Sequence, residues 1–190
     1  ELASVANIQE HTLTLKPDLG TVVGKVALTP IQHWFFEQNF LNQNHFNQAT
    51  LLYVQNIIDL SVLQQAFQSL LQHHDIFRCQ YYLDSSEGTW QQTSSKEQII
   101  DQCWTTVDIQ KGVLIKVAVL NCGKHRPLRL LIIIHHLAVD GVSWRILLED
   151  LKTVYTQLIN GDLLSLPPKT HSYQQWALAL QTYAQSDSLK

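Results

Sequence analysis

Apolar positions recur along this chain in two rhythms, one of three to four residues and one of two or fewer. Val62, Leu63, Ala66, Phe67, Leu70 and Leu71 repeat at i, i+1, i+4, i+5 and predict a helix ending near His74. Ser61 and Gln64 offer it a capping box. Trp144, Leu147, Leu148, Leu151, Val154, Tyr155 and Leu158 keep i, i+3, i+4 spacing, which predicts a long helix over 143–160 closed by Gly161. Thr29, Pro30 and Gln32 form a Thr-x-x-Gln entrance to a helix running to about Asn39. That helix is expected to present Ile31, Trp34, Phe35 and Gln38 on one side. A last helix is predicted over 172–185, after the break at Leu166-Pro167-Pro168, and a short one over 96–104.

The shorter rhythm predicts strands over 49–55, 77–83, 89–93, 113–120 and 128–134, with turns at 84–88 and between Asn121 and Pro127. Leu130 to Ile134 is apolar on consecutive residues, as in a strand buried on both faces. Residues 42–48 read as an Asn/Gln-rich loop, and residues 1–24 as a lead-in segment able to pair as an edge strand or pack on the body. Strands mixed with amphipathic helices make the fold class α/β (an α+β sandwich), with a mixed central sheet covered by helices.

Composition narrows the picture. The 190 residues suit one domain or one large lobe. A net charge of −3 gives no basic surface for nucleic acid or an anionic membrane, and no apolar run approaches the ~20 residues of a spanning helix. Charged residues are only 15%, and 21 glutamines supply neutral polar surface instead. Three cysteines (Cys79, Cys103 and Cys122) form no CxxC, which suits small buried hydrophobes in a reducing, cytoplasmic setting. No signal peptide is visible, and there is no methionine, which points to a piece of a larger protein.

One segment carries chemistry. His135, His136, Asp140 and Gly141 lie between the most apolar strand and the longest helix. Titratable groups at the mouth of a buried strand suit general acid–base work, and histidine titrates near working pH. The same residues also suit a buried histidine pair, with Asp140-Gly141 a turn and cap. No glycine-rich phosphate loop and no cluster with metal-ligand spacing is visible, so the expectation is no metal and no cofactor bound by the chain itself.

His135-His136-x-x-x-Asp140-Gly141 resembles the HHxxxDG signature of the condensation-domain superfamily of nonribosomal peptide synthetases, whose fold is similar to chloramphenicol acetyltransferase. Residues 28–36 (LTPIQHWFF) resemble its first core motif, and residues 73–78 (HHDIFR) its second. The wording of residues 30–37 and 142–147, with Leu166-Pro167-Pro168-Lys169-Thr170 and Gln175-Trp176-Ala177, resembles epimerization domains more than peptide-bond-forming ones. His135-His136 excludes the heterocyclization subtype, which carries aspartates there. The resemblance implies that residues 25–190 are the N-terminal lobe of a two-lobed domain whose second lobe is absent, and hence inactive alone.

It implies roles as well. His136 takes or returns the α-proton of an aminoacyl or peptidyl thioester. His135, Asp140, Gly141 and Arg78 support the site: Asp140 pairs with Arg78, and Gly141 lets the substrate arm pass. Arg145 contacts the phosphate of the arm or is a solvated surface residue. The substrate rides on the 4'-phosphopantetheine of a peptidyl carrier protein domain, and adenylation and condensation domains are neighbours. A peptide-bond-forming condensation domain and a non-catalytic docking platform are the alternatives; intact His135, His136 and Asp140 argue against the second. A free-standing acyltransferase using CoA is a weaker one. His73, His74, Trp34, Phe35, Phe36 and Trp144 are expected to be structural.

Overall fold

The computed structural model describes residues 20–55, 58–96, 106–123 and 126–186. Two antiparallel three-stranded sheets carry the helices. The first takes the order β1 (Gly24–Val26), β4 (Thr89–Ser94), β3 (Cys79–Asp84). The second runs β2 (Asn47–Tyr53), β6 (Arg129–His135), β5 (Ile115–Leu120). The α/β class therefore holds, but the sheet is divided, and every strand pair among the described residues is antiparallel. The short β3–β4 turn and the β5–β6 connection return the chain antiparallel in two of these pairs, and β1 and β2 add to them from earlier in the chain.

β6 is the centre of its sheet, yet its two faces differ. Leu130, Ile132 and Ile134 are fully buried, while Leu131 and Ile133 are half-buried. Successive side chains alternate across a strand, so only one face joins the main core. That core includes Leu63, Phe67 and Leu70 of α2 (Leu60–His73) and Leu147, Leu151 and Val154 of α3 (Gly141–Asn160). Replacing one of these side chains with alanine typically costs about 2–5 kcal/mol.

Helix boundaries follow local chemistry, with two departures from the periodic reading. Asp59, not Ser61, caps α2: its carboxylate accepts from the backbone N–H groups of Ser61 at 2.8 Å and Val62 at 3.2 Å. A charged acceptor two residues earlier takes two of the orphan donors and starts the helix at Leu60. In α1 (Pro30–Glu37) the inward face is Gln32, Phe35 and Phe36, an i, i+3, i+4 set. Ile31 and Trp34 are 65% and 45% exposed, so they are not core. Gln32 can be buried because both ends of its amide are used. Its Oε1 accepts from Thr29 N–H at 2.9 Å, and its Nε2 donates to Tyr81 Oη at 3.1 Å.

α3 ends where expected, at Gly161 in the left-handed conformation (φ 73°). α4 (Tyr173–Ala184) opens on a Ser172–Gln175 capping box. Gly24, the last residue of the expected lead-in, opens the edge strand β1. The predicted helix over 96–104 falls, apart from Lys96, outside the described residues, as does Cys103. No helix among the described residues is long and apolar enough to cross a membrane.

Candidate active site

β6 delivers two adjacent histidines to opposite fates. His135 is wholly buried and both ring nitrogens are engaged. Nε2 donates to the Gln43 carbonyl at 2.8 Å, and Nδ1 accepts from Leu137 N–H at 3.1 Å. A carbonyl only accepts, which fixes the proton on Nε2. Burial holds its pKa below the ordinary histidine value, against the hydrogen bond to the Gln43 carbonyl. Neutral, buried and doubly bonded, this ring is a strut.

His136 is its opposite. Its backbone N–H bonds the Phe46 carbonyl at 2.8 Å, continuing the β2–β6 pairing for one more residue. Its ring is exposed and stacks on Phe46 at 5.1 Å. Nδ1 lies 2.8 Å from the Val139 carbonyl, so Nδ1 is the protonated nitrogen and Nε2 carries the lone pair. The ring borders a groove of about 780 Å³. Ile31, Trp34 and Phe35 from α1, Phe46, Leu137 and Val139 from the loops, and Trp176 and Leu180 from α4 make most of its wall apolar. The exposed face of α1 thus has a place in this groove. Tyr173 at the groove edge has its hydroxyl pushed up to about 12 by burial.

Asp140 does not pair with Arg78. Its carboxylate caps α3, accepting from Val142 N–H at 3.1 Å, Ser143 N–H at 2.7 Å and Ser143 Oγ at 2.6 Å. Those bonds, led by the Ser143 hydroxyl, hold it below the ordinary carboxylate range. Arg78 is buried elsewhere: it donates to the carbonyls of Leu71 at 3.0 Å and Gln72 at 2.8 Å, and pairs with Asp75. Asp75, three residues upstream, gives the guanidinium a local anionic partner in place of Asp140, although Arg78 Nε is buried without a hydrogen-bond partner among the described residues. Lys169 Nζ reaches the same Asp75 carboxylate at 3.0 Å.

Gly141 is the first residue of α3, and a Cβ built on it meets nothing within 4 Å. Space, rather than backbone strain, is what it leaves in front of the helix. Arg145 is exposed and, among the described residues, pairs with Glu149, one turn on, at 4.0 Å. Such a pair contributes little.

Two polar residues that periodicity did not single out matter here. Gln48 of β2 places Nε2 3.1 Å from His136 Nε2, and Trp144 Nε1 donates to Gln48 Oε1 at 2.8 Å. Trp144 is therefore half core and half polar anchor. The second is Asp150, buried on the apolar side of α3 and bonded to His74 Nε2 at 2.9 Å. His73, His74 and Asp150 hold donor atoms within 4.8 Å of one another, the one such group of three among the described residues. Burial holds the pKa of both rings below the ordinary histidine value, with the Asp150 carboxylate acting against it.

Comparison with known proteins agrees with this architecture. Residues 22–190 match the Condensation domain family. The chain is 37% identical to tyrocidine synthase 2 of Brevibacillus parabrevis over 100% of its own length, which is 6% of that protein. Against tyrocidine synthase 1 of Brevibacillus parabrevis the identity is 37%, over 93% of this chain and 18% of the relative. Among solved structures, the epimerization domain from the third module of tyrocidine synthetase B superposes with a TM-score of 0.84 at 36% identity, over 92% of this chain and 43% of that one. The first condensation domain of the calcium-dependent antibiotic synthetase shares the fold, with a TM-score of 0.71 at 18% identity, over 86% of this chain and 44% of that one. The chain spans less than half of either solved domain, and within that span it belongs to the condensation-domain superfamily of nonribosomal peptide synthetases, with an epimerization domain among its relatives.

Proposed function

We propose that this chain is the N-terminal lobe of an epimerization domain, inverting L to D at the α-carbon of a carrier-tethered aminoacyl or peptidyl thioester. The observation that carries the reading is His136: an exposed ring, protonated on Nδ1, with its other nitrogen at an apolar groove. A thioester carbonyl acidifies the adjacent C–H by taking carbanion charge onto oxygen. A positioned base near that proton contributes typically ~10²–10⁴-fold. An apolar wall strengthens the electrostatics of the step by keeping water out. Inversion also needs an acid on the opposite face of the carbon, and that group is assigned to the second lobe. The epimerization reading is supported over peptide-bond formation by the 36% identity to an epimerization domain, against 18% to a condensation domain.

His135 orients the loop, Asp140 starts α3, and Gly141 leaves room for a 4'-phosphopantetheine arm. Arg145, with its exposed guanidinium, is the group that would meet the arm's phosphate. Arg78 supports the site indirectly, by tying the end of α2 to the turn that leads into β3. The partners are a peptidyl carrier protein domain, the second lobe, and adenylation and condensation domains of the same assembly line. No cofactor beyond the carrier's arm enters the chemistry.

The test loads a carrier with an L-aminoacyl thioester in deuterated water and adds the complete domain. Deuterium uptake with D-isomer formation is expected. Peptide-bond formation with an added aminoacyl acceptor, and no inversion, would favour the condensation reading.

A further inference from the structure

The hydrogen bonds around His136 reach past its ring to two groups with only one possible role each. At one end the Val139 carbonyl can only accept, so His136 Nδ1 donates to it. At the other end the Trp144 indole N–H can only donate, and it lies 2.8 Å from Gln48 Oε1. The Gln48 amide between them has one orientation left. Its oxygen must face Trp144, so its NH₂ must face the His136 Nε2 lone pair at 3.1 Å.

We infer that Gln48 and Trp144 are positioning residues that hold His136 as the neutral, Nδ1-protonated imidazole. This deepens the epimerase reading, on which it rests for the role of the base. Protonating Nε2 would set its N–H against the Gln48 NH₂. Flipping the amide to relieve that contact would set the NH₂ against the Trp144 N–H. In either arrangement one donor loses its acceptor, which costs the network a hydrogen bond. The ring is thus kept in the form able to accept a proton, although it is exposed. The substrate C–H must displace the Gln48 donor from Nε2, which ties proton transfer to an occupied groove.

The ionisable groups around the ring are His135 beside it, Asp140 at the start of α3, and Tyr173 of α4 at the groove edge. The residues that α1 gives to the groove are uncharged. Gln48 and its β2 neighbours Asn47 and Ala49 are also uncharged. All three ionisable groups persist in the variants below, so a difference reports the amide and the indole.

The experiment is ¹⁵N-histidine NMR of this chain, following the His136 ring nitrogens from pH 5 to 8.5. The neutral wild-type ring is expected to show a protonated Nδ1. Trp144→Phe keeps an aromatic ring but frees the amide to flip. It should raise the His136 protonation midpoint by about half a pH unit, the scale of one partly exposed hydrogen bond. Gln48→Glu, which places an acceptor at Nε2, should raise it further. In the complete domain the acid limb of the pH–rate profile should move by the same amounts. A wild-type ring protonated on Nε2 overturns the inference even where the variants fail to fold. So does a Trp144→Phe midpoint equal to wild type. Exchange retained by a His136→Ala domain would instead remove His136 as the base and leave the network standing, and peptide-bond formation without inversion by the complete domain would sink the epimerase reading.

Discussion

At the scale of single residues, the signature loop divides its labour by hydrogen bonding. His135 and His136 are neighbours, yet one carries its proton on Nε2 and the other on Nδ1, because each meets a different carbonyl. Asp140 works on the first turn of α3, and Arg78 on the end of α2. A double-mutant cycle separates this from a direct Arg78–Asp140 pair. Asp140→Ala should cost about 1 kcal/mol, the loss of a helix cap. Arg78→Ala should cost more, up to about 3–5 kcal/mol, because it strips a buried ion cluster, although Lys169 still holds Asp75. Their urea-denaturation losses should add, with coupling below about 0.5 kcal/mol; a larger coupling would revive the direct pair. The loop itself was legible, since His135, His136, Asp140 and Gly141 are contiguous. The Arg78 partner was not, because Asp75 becomes available only when a 3-10 turn folds it back (Asp75–Arg78). Gln48 was hidden for a similar reason: its partners lie 88 and 96 residues away.

At the scale of elements, local signals were read well and long-range pairing poorly. The spacing of Leu147, Leu151 and Val154 already describes the buried face of α3. The stop at Gly161 needs only a left-handed residue there. Division into two sheets could not be read, because β1 pairs with β4 across more than sixty intervening residues. The entrance to α2 shows where local reading slips. Ser61 with Gln64 fits a capping box, but Asp59 is the cap, so Asp59→Ala should cost about 1 kcal/mol and Ser61→Ala clearly less, by chemical denaturation.

The His73–His74 pair where α2 meets α3, and His135 at the end of β6, make the fold acid-sensitive. His73, His74 and His135 all have pKa values lowered by burial, so the unfolded chain binds protons more readily than the folded one. Stability should be intact above the ordinary histidine value of 6.5 and fall as pH drops below it. Asp59, Asp108 and Asp140, held below 3.8, add a further loss only in stronger acid. The melting temperature should therefore decline already between pH 7 and 5, and His135→Gln should flatten part of that decline. A profile level down to pH 5 would contradict neutral buried histidines.

At the scale of the molecule, α1, α4 and the β6–α3 loop meet at an open groove with the His136 ring at its margin. α1 and α4 wall it, the β6–α3 loop supplies His136, and Phe46 stacks on the ring. Family and fold class were legible because their motifs are short and contiguous. The groove was not, because Ile31, Trp34, Trp176 and Leu180 meet only in three dimensions. A groove that offers a base on one side predicts no inversion by these 190 residues alone. The account rests most directly on His136, and α-proton exchange tests it. With an L-aminoacyl carrier in deuterated water, His136→Ala in the complete domain should lose at least about 10²-fold in deuterium uptake, with carrier binding retained. Deuterium uptake at the wild-type rate by that variant would contradict the account.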